Sequence, residues 1–304
     1  MSERLVGKGI GYGLSAYLIW GSFPIVIAAL SFAEPFEIVV WRVIFGFVFG
    51  IGAILVTRKF SEYLSVFRQP KQLLWISLAA VVIYINWQVY VFAVAESHVI
   101  EASLGYFINP LVTIALATIF LKEKLNALQW VAVGLGTVAV LVMTFSLGQP
   151  PIIALVLAFS FGIYGLAKNR LGGTVSALNS FTIETTLLLP LGIAQLVFLA
   201  TITQIQFGYA GLVPSLGLAA YGFLTAIPLL LFGAAAKRVP LSYIGFMQYL
   251  TPTLQFLLGL FYFQEQMSGA RWFGFAMVWF ALAILSFDAL RQLSNRARPA
   301  PVIS

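Results

Sequence analysis

Two ionisable residues stand inside apolar segments of this 304-residue chain, Arg42 and Glu184, and they lie 142 positions apart. A charge in hydrocarbon is costly and by default faces a protein interior or a water-filled path. An arginine there can pair with a carboxylate. A buried glutamate can carry a proton, because burial disfavours its charged form. Counted along helices, Arg42 is about five residues from one edge of its segment and Glu184 about six from the opposite edge, leaving roughly 14 Å of depth between them. A direct pair between them is not expected. Arg42 can instead reach Glu101 at a similar depth, a partly buried pair that makes structural sense. Near Glu184 the only cations are Lys168, Arg170 and Lys237, and the rival reading is a structural carboxylate bonded to backbone or snorkelling to the near surface.

Uncharged polar residues supply the rest of the candidate site. Glu101, Gly105, Asn109, Thr113 and Ala117 recur every four residues, as do Tyr243, Met247, Thr251, Gln255 and Gly259, so each set forms one row on a helix. Gln248 shares much of the second row's face. The rows are open to two readings, a cavity lining or a seam of small residues that lets helices pack. Asn109, Thr251 and Gln255 need partners in hydrocarbon under either one. Asn86 and Tyr90 can share a helical face, whereas Asn86 and Gln88 point roughly 200° apart. Trp87 is either a substrate-facing ring or a packing residue. Pro110 and Pro252 lack an N–H and free the carbonyls of Tyr106 and Gln248. At roughly 16–18 Å into a core about 30 Å thick, those freed groups must face protein, water or substrate.

What positions these groups is a duplicated unit. Asn109, Pro110, Glu123 and Trp130 recur as Thr251, Pro252, Glu265 and Trp272 with the same offset of 142. The chain is 61% apolar and 9% charged, far from the soluble norm of roughly 45–50% and about 25%. Ten apolar stretches are long enough to span: 9–30, 37–56, 73–94, 99–121, 127–145, 152–166, 178–200, 213–235, 241–263 and 270–287. The expected fold is therefore an all-α membrane protein of ten transmembrane helices in two five-helix repeats, 1–146 and 147–290, with a basic tail over 291–304. Five is odd, so the second repeat enters the membrane from the opposite side and the repeats are inverted. The Gly46-x-x-x-Gly50 pair on the second span reads as helix packing.

The charges support this topology independently. With a cytoplasmic N-terminus, 15 of the 17 basic residues fall on the inner side, leaving Arg271 outside and Arg42 within a span. Both termini are then cytoplasmic and the setting is a cell inner membrane. Glu34, Glu37, Glu96 and Glu265 fall outside, His98 in an outer loop, and Asp288 near the inner interface. The net charge of +7 is a topology signal rather than a nucleic-acid footprint. Ser31-Phe32-Ala33 resembles a cleavage site, but the preceding apolar run exceeds the roughly 7–15 residues of a signal peptide and is read as a retained helix. No cysteine is present, and a lone histidine builds no zinc site, so no metal or other cofactor is expected. No His-Glu-x-x-His or Gly-x-Ser-x-Gly arrangement occurs, and Gly7-x-Gly-x-Gly-x-Gly13 lacks a preceding strand and the phosphate-binding spacing; an enzyme is not expected.

The segment Glu101-Ala-Ser-Leu-Gly-Tyr-Phe-Ile-Asn-Pro-Leu111 resembles the signature of the RarD proteins, often labelled chloramphenicol-sensitive, within the EamA branch of the drug/metabolite transporter superfamily. Ala16-Tyr-Leu-Ile-Trp-Gly21, Asn86-Trp87, Ser160-Phe-Gly-Ile-Tyr164, Ile183-Glu184-Thr185 with Pro190, and Gln248-Tyr-Leu-Thr-Pro-Thr253 add to it, up to about Asp288. The resemblance implies a ten-helix inner-membrane carrier whose central cavity is lined partly by spans three, four, eight and nine. The expectation is a secondary carrier, an exporter, moving small organic metabolites or drugs by alternating access. Proton coupling would rest on Glu184 and Glu101. Partners are then a small-molecule substrate and the lipid bilayer, with no nucleic acid. The alternative is a membrane accessory or sensor protein that binds a small molecule without moving it.

Overall fold

The computed structural model describes residues 3–122, 124–148, 150–171, 174–236, 238 and 247–297. Glu123, Lys237, Tyr243, Arg298 and the opening of the expected ninth span lie outside the described residues. Helices α1 (Glu3–Ala29), α2 (Pro35–Val56), α3 (Phe60–Val66), α4 (Pro70–Ala95), α5 (Val99–Leu121) and α6 (Ala127–Leu147) form the first half. The second half contains α7 (Ile152–Leu171), α8 (Ala177–Ile202), α9 (Leu212–Ala236), α10 (Leu250–Leu257) and α11 (Gly269–Ala297). Among the described residues, nine helices are long and apolar enough to cross a membrane, and Leu250–Tyr262 adds a shorter apolar stretch. The protein is all-α and multi-pass.

Local chemistry marks the helix ends. The Glu34 carboxylate accepts from Phe36 N–H and Pro35 opens α2, where a missing N–H costs nothing. Asn126 and Gln129 form a reciprocal capping box at α6, which ends on Gly148 at φ 72°. Helix α3 is absent from the sequence expectation, because its seven residues are too few to span and fall between the basic residues Lys59 and Arg68. It is tied to the bundle by the Tyr63 hydroxyl, 2.9 Å from Thr186 Oγ1.

The two expected proline helices differ. Helix α5 runs through Pro110 without ending. On the other side, Gln248 and Tyr249 form a turn, so Pro252 falls in the first turn of α10, where its lack of an N–H is tolerated. Five residues beyond it, Leu258–Tyr262, wind as a π-helix, a widening often found at functional sites.

Packing pairs α1 with α9, α4 with α7, α5 with α7, α1 with α10, α2 with α8, α5 with α10 and α6 with α11. Close approach depends on small residues. A Cβ on Gly105 would stand 2.7 Å from the Ala154 carbonyl oxygen, and one on Gly50 2.5 Å from Thr182 Oγ1. The upper part of the Glu101 row is thus a seam against α7, and Gly50 lies against α8. Phe145, Phe280 and Val56 are among many large apolar residues turned outward, which suits lipid.

Candidate functional site

Arg42 is 5% exposed and lies among aromatic rings drawn from three other helices. Its guanidinium carbon is 4.1 Å from the centroid of Trp87, 5.1 Å from Tyr221 and 5.6 Å from Phe23. Arg42 Nη1 donates to the Tyr221 hydroxyl at 3.1 Å, whereas Arg42 Nε is buried with no partner. Among the described residues, the ion pairs are Lys59–Glu62 and Lys168–Glu184, so no carboxylate pairs with Arg42. The expected contact with Glu101 is not formed. Glu101 instead accepts from Ile153 N–H at 3.0 Å, satisfying a free donor at the start of α7.

Amides and phenols continue the cluster. The Tyr90 and Tyr106 rings meet edge to face at 5.7 Å. Gln255 Nε2 donates to the Tyr90 hydroxyl at 2.8 Å, and Gln255 Oε1 is buried without a partner. Tyr106 donates to Asn86 Oδ1 at 3.1 Å, and Asn86 Nδ2 donates to Ser160 Oγ and the Leu157 carbonyl. Six of the residues expected from sequence therefore converge: Arg42, Asn86, Trp87, Tyr90, Tyr106 and Gln255. They come from α2, α4, α5 and α10, so both halves of the chain contribute. Tyr221 and Phe23 were not anticipated. The available signal for Tyr221 was a phenol inside an apolar span, a polar tip that must find a partner when buried.

The remaining candidates are elsewhere. Asn109 is half-buried, accepts from Thr113 Oγ1 one turn on, and faces Gly162 of α7. Thr251 donates to the Tyr17 carbonyl at 2.9 Å and Met247 packs against Gly13, so these two face α1. Gln248 is half-buried beside Tyr249. Pro110 shares α5 with Tyr106, and Pro252 shares α10 with Gln255.

Glu184 belongs to a second, compact cluster. It is 3% exposed and ion-paired with Lys168, while Ser180 donates to it at 2.8 Å and Tyr164 at 3.2 Å. Lys168 also donates to Ser180 and lies 5.1 Å from the Tyr164 ring centroid. Asp288 is buried, and both of its oxygens accept from Asn126 Nδ2 at the N-cap of α6.

Where the 203–207 and 263–268 loops lie, carboxylates bind backbone N–H groups. Glu37, fully buried, accepts from Gln206, Phe207 and the Trp41 indole. Glu265 accepts from Val99 and Ile100 at the start of α5. Burial pushes the Glu265 carboxyl above its usual value, against those two N–H groups, His98 and Arg271, which pull it down. A cavity of about 130 Å³ opens nearby between Glu101, Met143, Arg271 and Phe275.

Comparison with known proteins follows this geometry. Residues 7–145 match the EamA-like transporter family. Protein RarD of Streptomyces exfoliatus is 45% identical over 298 residues, covering 98% of this chain and 94% of that one. Protein RarD of Escherichia coli (strain K12) is 39% identical, covering 95% and 97%. An uncharacterized transporter of Bacillus subtilis (strain 168), YojE, is 38% identical, covering 96% and 97%. A solved crystal structure with 18% identity superposes with a TM-score of 0.59 over 94% of this chain and 99% of that one, a likeness of fold.

Proposed function

This chain belongs to the EamA-like transporter family, and from that premise we propose that it is a secondary carrier of small organic molecules working by alternating access. The observation that carries the reading is the buried cluster around Arg42, Trp87, Tyr90, Tyr106 and Gln255, because side chains from both halves meet there inside the membrane. A site at the interface of two halves is exposed to either side by rocking one half against the other.

The pairing of helices supports ten spans in two inverted repeats. The α4–α7 contact exchanges with α9–α1 when each span is replaced by its counterpart, α5–α7 exchanges with α10–α1, and α2–α8, α5–α10 and α6–α11 map onto themselves. With the basic loops inside an inner membrane, Glu101 and Glu265 fasten the outer ends of α7 and α5, and Glu37 the outer loop before α9. Export is the direction that follows from the family resemblance. Proton coupling through Glu184 or Glu101 has less to support it, since Glu184 holds Lys168 and Glu101 caps α7.

The test is counterflow in proteoliposomes with labelled amino acids, nucleosides, chloramphenicol and aromatic carboxylates. The expected result is exchange of at least one compound by the wild type, slowed about tenfold or more by Trp87→Ala. Binding of a compound without exchange of any would instead make the protein an accessory or sensor.

A further inference from the structure

The Arg42 cluster carries an electrostatic imbalance. A guanidinium buried in a membrane protein normally pairs with a carboxylate or faces water, because a stranded charge in low dielectric is costly. Here three aromatic faces and one phenol take its place, with no carboxylate partner among the described residues. Ring faces attract a cation but accept no directed hydrogen bond of the strength a carboxylate offers. The orphans are specific: Arg42 Nε is a donor lacking an acceptor, and Gln255 Oε1 is an acceptor lacking a donor. Both residues are at least nine-tenths buried. Both meet α4, Gln255 by its hydrogen bond to Tyr90 and Arg42 over the Trp87 ring.

We infer that Arg42 anchors the carboxylate of a small, singly charged organic anion, with Gln255 Oε1 taking an adjacent hydroxyl or N–H and the edge-to-face Tyr90–Tyr106 pair offering an aromatic wall to a planar body. A ligand of that kind offers an acceptor to Arg42 Nε and a donor to Gln255 Oε1. A single negative charge is specified because Arg42 is the cluster's cation, while Lys168 is engaged by Glu184. A cationic substrate would place like charges together in low dielectric. The inference rests on the carrier reading for its role in transport and adds to it the substrate class.

The experiment uses the full-length protein in nanodiscs, with mandelate as probe, its neutral amide mandelamide as the uncharged match, and inorganic phosphate as a bare oxyanion. Tryptophan fluorescence and the thermal unfolding midpoint report binding. Mandelate is expected to bind about tenfold or more tightly than mandelamide, with phosphate a weak competitor. Arg42→Gln is expected to remove that preference, and Arg42→Lys to keep part of it without the planar fork. Equal binding of acid and amide overturns the inference, as does no binding of either or a preference that survives in a folded Arg42→Gln protein. Phosphate competing as well as mandelate overturns the organic part of the assignment. The wild-type comparison of acid with amide stands even where a variant fails to fold.

Counterflow of labelled mandelate separates the two readings. Arg42-dependent binding without exchange of any compound leaves the anion site in place and removes the carrier reading. Exchange of neutral compounds alone does the reverse.

Discussion

Two clusters are built around a membrane-buried charge, Arg42 in α2 and Glu184 in α8, and they differ in how fully that charge is satisfied. Around Glu184, Lys168 supplies the opposite charge and Ser180 and Tyr164 donate hydrogen bonds. Around Arg42, the partners are three rings and one hydroxyl, and a guanidinium donor stays unmet. A closed network rigidifies a fold; an open one has capacity left for a ligand. Residues related by one sequence offset are thus met by an opposite charge in one half and left with an unmet donor in the other.

The largest test of that contrast removes Lys168. In Lys168→Met, Glu184 is buried without its counter-charge, at a cost of about 3–5 kcal/mol read as a lower thermal unfolding midpoint. Lys168→Met combined with Glu184→Leu should recover most of the loss, because neither charge is then stranded. Arg42→Gln strands no carboxylate, so its cost in stability is about 1–2 kcal/mol, the value of the ring contacts. Equal losses in Lys168→Met and Arg42→Gln would end the distinction.

A smaller effect separates the two tyrosines. Tyr164→Phe deletes a bond to a carboxylate in a closed network and should cost about 1.5–3 kcal/mol, whatever ligand is added. Tyr221→Phe instead leaves a second Arg42 donor unmet. Its unfolding midpoint should fall less, and saturating mandelate should raise it more than in the wild type, because the ligand then supplies two missing acceptors. A ligand shift in Tyr221→Phe no larger than in the wild type would place the carboxylate away from that donor.

The sequence made the spans legible because hydropathy and basic-loop asymmetry both report on the bilayer, a solvent common to every helix. Six residues of the Arg42 cluster were legible for a related reason: Asn86, Tyr90, Tyr106 and Gln255 carry polar atoms that must converge somewhere dry, and Arg42 and Trp87 are conspicuous in such surroundings. The partner of each group was harder to read. Glu101 and Arg42 lie at similar depth, but depth along a helix gives no azimuth, and Glu101 turns to the N-terminus of α7. The row from Glu101 to Ala117 is periodic whether it lines a cavity or a seam. Only the 2.7 Å approach at Gly105 decides for the seam at that position. Helix α3 is too short for a window tuned to spanning segments.

Glu265 offers the smallest effect and a third kind of satisfaction. Its carboxylate is outside the spans and is met by the Val99 and Ile100 N–H groups at the positive end of α5, with His98 and Arg271 as the charged groups facing it. Burial is the larger influence and raises its proton affinity above that of an ordinary glutamate. The folded state therefore holds the proton more tightly than the unfolded chain does. That contribution to stability is complete below the ordinary glutamate range and is lost as pH rises through the raised value. Partial exposure discounts it to about a few tenths of a kcal/mol. Glu265→Gln keeps the shape and cannot titrate, so the wild-type midpoint should lose slightly more than the variant's between about pH 4 and 7. Parallel midpoints across that range would mean that the two backbone bonds hold Glu265 ionised as firmly as water does. The tie at the start of α5 would then not respond to acidity.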